Sequence, residues 1–291
     1  MRNKVYINKK GNENNNTGIF GNYIKQRINK NKNFMCCITG PTGSGKTYSA
    51  LKFAEQWDKN FTSDNIVFTP KAFVDLLNSG TLKKGSVIVA DEFGVSMNSR
   101  NWQSVANQVI NYVLQTFRSR NYIVLFTSPD FSFIDVSARK LFHCHMMTEG
   151  INFKQEFCNI KPYMLQVNQR SGDIYYKYLK TVIEGIGTKK LNKIEVGLPS
   201  KKLIKDYEKK KFAFVSELNK EIEEKLNEKK EDKKENKDKL IEDRWRIIDN
   251  LVKNGIKTLA KQSEFLGIKS HSLGEWKKRN NRTPKPTLSI N

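Results

Sequence analysis

Residues 35–50 read MCCITGPTGSGKTYSA, an apolar run that breaks into glycines and then into lysine and threonine. Gly40 to Thr47 fits the pattern G-x-x-x-x-G-K-[ST]. Gly40, Gly43 and Gly45 let the backbone curl, with Thr42 and Ser44 between them, so that its N–H groups face a phosphate chain at the positive end of the next helix. Lys46 is expected to reach the β- and γ-phosphates, and Thr47 to hold Mg²⁺ through its hydroxyl. The loop follows a run that reads as a strand and opens a stretch that reads as a helix, which is the context this chemistry requires.

Some forty residues on, GSVIVADEFG carries four apolar residues, Val87 to Ala90, into Asp91 and Glu92. At the end of a buried strand Asp91 can orient the magnesium shell, and Glu92 is placed to polarise a water for attack on the γ-phosphate. Kinases and switch GTPases do not usually pair this Asp with an adjacent Glu, so hydrolysis of ATP is the expected chemistry. A further strand, NYIVLFTSP, presents Thr127 or Ser128 at its carboxyl end as a sensor of the γ-phosphate.

Before that strand, residues 101–117 hold no charged residue in a chain that is 28% charged. Trp102, Val105, Ala106, Val109, Ile110, Val113, Leu114 and Phe117 form an apolar stripe at helical spacing, and the opposite face is polar but uncharged. That face is expected to pack on another subunit, as in a ring. Arg118 and Arg120 follow directly, placed for an arginine finger acting in trans, with Arg139 and Arg100 as rivals.

The 291 residues carry 52 basic and 30 acidic side chains, a net charge of +22, which points to a polyanionic partner. No apolar run approaches the roughly 20 residues of a membrane span, and the first residues lack the apolar core of a signal peptide. The chain therefore reads as cytoplasmic. Cys36, Cys37, Cys144 and Cys158 have no metal-site spacing and read as reduced structural thiols.

Residues 1–18, rich in Asn and Lys, read as a disordered tail. Over residues 19–198, five apolar runs (FMCCIT, NIVFT, SVIVAD, NYIVLFTS and LFHCHMM) alternate with amphipathic stretches, predicting an α/β domain with a mostly parallel sheet. A hairpin around RSGD follows. Residues 199–239 form a charged helical linker, with Phe214, Val215, Leu218, Ile222 and Leu226 on one stripe. Its end, NEKKEDKKENKDK, has no apolar residue and is either a solvated helix or disordered.

Residues 240–282 read as a small all-α module of three short helices, followed by a tail over 283–291. TLAKQSEFLGIKSHSLGEWKKR resembles a helix-turn-helix: Leu259 and Ala260 face inward, Gly267 makes the turn, and Leu273 and Trp276 anchor the last helix. Lys269, Ser270, His271 and Ser272 would stand at that helix's start, where base edges are reached. Lys277, Lys278, Arg279 and Arg282 would meet phosphates. A protein-docking bundle is the alternative for this module.

GPTGSGKT, VIVADEFG and QTFRSRNYIVLFTSP together resemble the HerA–FtsK superfamily of P-loop ATPases. The phrase DEFGVSMNSRNWQSVANQVINYVLQTFRSRN looks most like its Zot-like branch, found in viruses and mobile elements. The resemblance covers roughly residues 20 to 150. It implies a RecA-like (ASCE) P-loop NTPase core of strand order 5-1-4-3-2 that binds ATP and Mg²⁺. It also implies assembly as a homo-oligomeric ring, a hexamer, coupling of hydrolysis to movement of double-stranded DNA, and a capsid or element-encoded partner. The arginine between the third and fourth strands matches Arg118 or Arg120. Many relatives place Gln where this chain has FTSP, and filamentous-phage Zot proteins carry a membrane span that is not seen here. Packaging or transfer of an element's DNA is the expected activity; a helicase, a nucleotide-switched DNA-binding regulator and a protein-assembly ATPase are the alternatives.

Overall fold

Every residue of strand β2, Phe34–Thr39, is buried. That double-sided burial explains its unbroken apolar run, since a central parallel strand is covered on both faces. The computed structural model describes residues 4–7, 16–92, 120–183 and 187–280. The charge-free stretch 101–117, with Arg100, Arg118 and Arg282, lies outside the described residues.

In chain order the first elements are β1 (Lys4–Ile7), α1 (Asn16–Asn29), β2, α2 (Lys46–Trp57), β3 (Ile66–Val67), α3 (Pro70–Asn78), β4 (Val87–Ala90) and β5 (Ile123–Ser128). Then come α4 (Val136–Arg139), β6 (Cys144–Asn152), β7 (Phe157–Val167), β8 (Ile174–Lys177), β9 (Leu179–Ile183), β10 (Gly187–Leu191) and β11 (Ile194–Gly197). Three helices end the described chain: α5 (Lys201–Lys253), α6 (Leu259–Phe265) and α7 (Ser270–Arg279).

The main sheet runs β11-β7-β6-β2-β5-β4-β3, with β8 on β7. From β6 to β3 the pairs are parallel, and β7 turns antiparallel on β6. Numbering the five expected strands in chain order gives 5-1-4-3-2, the order the resemblance implies. The hairpin around RSGD is β7–β8. Residues 4–7, read from the sequence as tail, form β1, which pairs in parallel with β9 in a second sheet, β1-β9-β10.

Alternation along the strands sends side chains to two cores. Phe34, Cys36 and Ile38 of β2 join Phe20, Leu51, Phe53, Leu203 and Tyr207 on the α1, α2 and α5 side. Met35 and Cys37 join Phe73, Leu77, Phe126 and Phe142 on the α3 and α4 side. All four cysteines are buried free thiols. Helix α3 starts where Thr69 Oγ1 accepts from the Ala72 N–H at 3.1 Å, with Pro70 in the first turn.

His145 on β6 is buried, stacked on Phe131 at 4.3 Å, with Nε2 2.7 Å from Thr39 Oγ1. Burial pulls its imidazole down to about 4, against the pull of Asp130. A folded-state value below the unfolded one means that the unfolded chain takes up the proton first. His145 therefore contributes stability that is complete above pH 6.5 and lost as pH falls toward 4, on the order of 3 kcal/mol. Urea unfolding from pH 7 to 4 should show this acid limb, and His145→Gln should shrink it. An unchanged limb in that variant would clear His145 as its source.

The chain divides into two compact units, Met1–Ser216 and Glu217–Asn291, so the first turns of α5 belong to the first unit. Of the apolar stripe expected on that helix, Phe214 packs on the core, stacked on Phe68 at 4.9 Å. Val215 and Ile222 are exposed instead. The inward line is Leu203 and Tyr207, both buried, with Phe214 half-buried beyond them, on the α2 side of the sheet.

In the second unit Ile248, Leu251 and Leu273 are buried, and Trp245 meets Trp276 at 5.5 Å. The expected first helix of the C-terminal module is the end of α5. Gly267 makes the α6–α7 turn at φ +62°. Leu259 and Ala260 were expected inward but are exposed. Gln262 and Ser263 are buried in their place. The Gln262 amide satisfies itself by donating to Ile256 O at 2.9 Å and accepting from Lys277 Nζ at 2.7 Å.

Candidate active site

The loop after β2 turns on glycines whose positions leave no alternative. A Cβ on Gly40 would stand 1.9 Å from Thr148 Oγ1, and one on Gly45, at φ +89°, 3.2 Å from Cys158 Sγ. Thr148 also braces the loop: its hydroxyl donates to Thr39 O at 3.1 Å and lies 2.7 Å from Ser44 Oγ, whose own hydroxyl can donate to it. Helix α2 starts at Lys46 with Gly45 as N-cap and no side-chain cap, so its first N–H groups are directed at whatever the loop encloses. Around Gly43, at φ +76°, an added Cβ would meet nothing within 4 Å. Thr42 is exposed beside it.

Lys46 is buried, and its ammonium donates to Gly40 O and Pro41 O, both at 2.8 Å. Burial pulls its pKa below the ordinary lysine value, while Glu92 and Asp91 hold it up.

Across the loop, β4 delivers Asp91 with no exposure at all. Its Oδ1 accepts from Thr47 Oγ1 at 2.7 Å and from Thr127 Oγ1 at 2.8 Å. The Glu92 N–H donates to Thr127 Oγ1 at 2.9 Å, holding Glu92 in the left-handed region at φ +44°. A non-glycine residue there is strained by roughly 1–3 kcal/mol, a feature concentrated at functional sites.

Of the two sensor candidates, Thr127 reaches the acid and Ser128 does not: the Ser128 hydroxyl donates to Asp130 O at 2.8 Å. Strand parity decides this. Thr127 shares a face with Ile123 and Leu125, on the α2 side, whereas Ser128 shares one with Val124 and Phe126.

Two further residues complete the site. Tyr207 of α5 donates from its hydroxyl to Asp91 Oδ2 at 2.7 Å. Burial and the Asp91 charge push the phenol pKa far up, so it remains a donor. One turn on, Lys211 Nζ lies 3.1 Å from Glu92 Oε2 and 3.4 Å from Asp91 Oδ2. Neither residue was singled out from the sequence. The spacing of Leu203, Tyr207 and Phe214 could have marked the buried face, but nothing distinguishes Lys211 within EKKK.

The donor set suits a small hard cation. One hydroxyl and one carboxylate, Thr47 and Asp91, with phosphate oxygens completing the shell, is how magnesium is held in such sites. Among the described residues no group of three His, Cys, Asp or Glu could hold a metal by itself. The ion would supply neutralisation of phosphate charge.

Arg120 stands before β5, at the end of the strand away from the loop, and donates to Leu77 O at 2.5 Å. It does not reach the loop of its own chain. Arg139 is turned to Ile134 O at 2.6 Å and Ser132 O at 3.1 Å. In the second unit Lys269, Ser270, His271 and Ser272 are exposed at the start of α7, with Ser270 Oγ 2.6 Å from Ser263 Oγ. Lys277 is engaged by Gln262, and Lys278 pairs with Glu275 at 3.5 Å. Arg279 is exposed.

No protein-family model matches the chain, and no curated protein matches it. Among solved structures it is similar to one described as the N-terminal domain of zonular occludens toxin from Neisseria meningitidis. The identity is 16% and the TM-score 0.30, over 50% of this chain and 94% of that one. A likeness this weak carries neither fold nor function; both rest on the sheet, the loop and its acids.

Proposed function

We propose that the chain is a phosphate-loop ATPase that couples hydrolysis to the movement of double-stranded DNA for a virus or mobile element, in the cytoplasm, as a hexameric ring. The observation that carries the ATPase reading is the 2.7 Å contact of Thr47 with Asp91, which joins the loop to the acidic strand end. Lys46 and the N–H groups of α2 would hold the phosphates, and Glu92 would take a proton from the attacking water. The base would enter an adjoining apolar cavity of 260 Å³ lined by Gly45, Tyr48, Ile151, Phe153 and Leu198.

The motor reading is finer. Support for it comes from the net charge of +22, the exposed start of α7 and the resemblance to HerA–FtsK motors. Arg118 or Arg120 would then act on a neighbour's nucleotide, and Lys269 to Ser272 with Lys277, Lys278 and Arg279 would contact DNA. Among the described residues no helix is long and apolar enough to cross a membrane.

Steady-state ATP hydrolysis without DNA, with duplex and with single strands tests this reading. We expect duplex to stimulate turnover at least severalfold. Stimulation by single strands alone would indicate a helicase, and indifference to DNA would overturn the DNA motor.

A further inference from the structure

Helix α5 reaches the site by two different kinds of contact. Tyr207 is fixed: it is buried, tilted against Phe68 at 6.2 Å, and its hydroxyl is spent on Asp91. Lys210 anchors the same turn, donating to Ser63 O and Ile66 O at 2.8 Å each. Lys211 differs from both. Its side chain is 30% exposed, and its ammonium bridges the two carboxylates on which the proposed reaction depends. A hydrated magnesium ion held by Thr47 and Asp91 needs the same region of negative charge.

We propose that Lys211 is a tethered counter-cation, competing with magnesium for Asp91 and Glu92 and so setting the metal concentration at which nucleotide is bound. The proposal rests on the nucleotide reading above. The charges make the competition unavoidable. Asp91 and Glu92 together bring two negative charges into a partly dry site, and Lys46 is turned to the carbonyls of Gly40 and Pro41. Among the described residues, Lys211 is the cation within ion-pair distance of both acids. Its long flexible stem and partial exposure let the ammonium leave, whereas Tyr207 and Lys210 keep the helix in place. Without Lys211 the two carboxylates would lose their shared ion-pair partner, although Asp91 would keep its hydroxyl donors, and divalent metal would be drawn in at lower concentration.

Equilibrium binding of a fluorescent ATP analogue to the full chain, titrated with Mg²⁺ and repeated in EDTA, reads both effects. For Lys211→Met the magnesium midpoint should fall about fivefold, and analogue binding in EDTA should weaken by a similar factor. Lys211→Arg should keep both near wild type. If the Met variant does not fold, Lys211→Gln is measured in its place. A variant that melts lower but keeps the wild-type midpoint and EDTA affinity would make the ion pair purely structural and overturn the proposal. If the wild-type chain binds no analogue at any magnesium concentration, the nucleotide reading itself fails, and the proposal with it.

Discussion

Glu92→Gln is expected to lower ATP turnover by about 10²–10⁴-fold, the usual contribution of a positioned general base, while leaving nucleotide bound. The two carboxylates at the end of β4 have separate tasks because their surroundings differ. Asp91 is sealed, with both oxygens accepting hydrogen bonds, so it has no freedom to take a proton from water. The Glu92 side chain is 42% exposed, and its backbone is pinned by Thr127. It can present an oxygen to a water beside the phosphate. Glutamine keeps the shape and one acceptor but cannot accept the proton. Binding of a fluorescent ATP analogue should be within a few-fold of wild type, because on the proposed reading the phosphates would be held by the loop and not by Glu92. Lys46→Ala, by contrast, should lose binding and turnover together. A Glu92→Gln protein that retains more than a tenth of wild-type turnover would take the base away from Glu92.

The loop and the acids were legible because local sequence is enough to specify them. The glycine-rich turn is marked by its own spacing, G-x-x-x-x-G-K-T, and a buried strand ending in Asp-Glu reads directly from four apolar residues. The strands of the parallel sheet were legible for the same reason. What was not legible depends on tertiary placement. Tyr207 and Lys211 come to Asp91 from more than 110 residues away, through the packing of Leu203, Tyr207 and Phe214 on the α2 side of the sheet. Gln262 displaced Leu259 and Ala260 as the inward residue of α6 because its amide found partners that composition cannot reveal. The choice of Thr127 over Ser128 lies between these cases. Parity with Leu125 could have settled it, but only with the strand's two faces already assigned.

The contacts at Asp91 make the site and the stability of the first unit inseparable. Side chains from α2, β5 and α5 donate to one carboxylate at the end of β4, so four elements meet at two oxygen atoms. Such a hub fixes the distance between the phosphate loop and the acidic strand end, and any shift of α5 is felt there first.

Asp91→Ala should therefore cost stability as well as activity. Thr47, Thr127 and Tyr207 would each keep a hydroxyl with its acceptor gone, and Lys211 would lose one of its two carboxylates. Leaving buried donors unpaired costs about 1–3 kcal/mol each, and removing one side of a buried charged network about 3–5 kcal/mol. The hydroxyls can rotate and the Lys211 ammonium can remain on Glu92, so the lower end, about 3 kcal/mol, is expected. For a unit of this size that is a fall in Tm of on the order of 10 °C. The size of the loss alone would not identify its cause, but the pattern of a double-mutant cycle would. Tyr207→Phe removes the donor that Asp91→Ala leaves unpaired, so the double variant should be more stable than the sum of the two single losses predicts. Thermal unfolding of the four proteins measures this coupling. Strict additivity would mean that the Tyr207 hydroxyl and Asp91 do not depend on one another, and that α5 is held against the sheet by the packing of Leu203 and Phe214 alone.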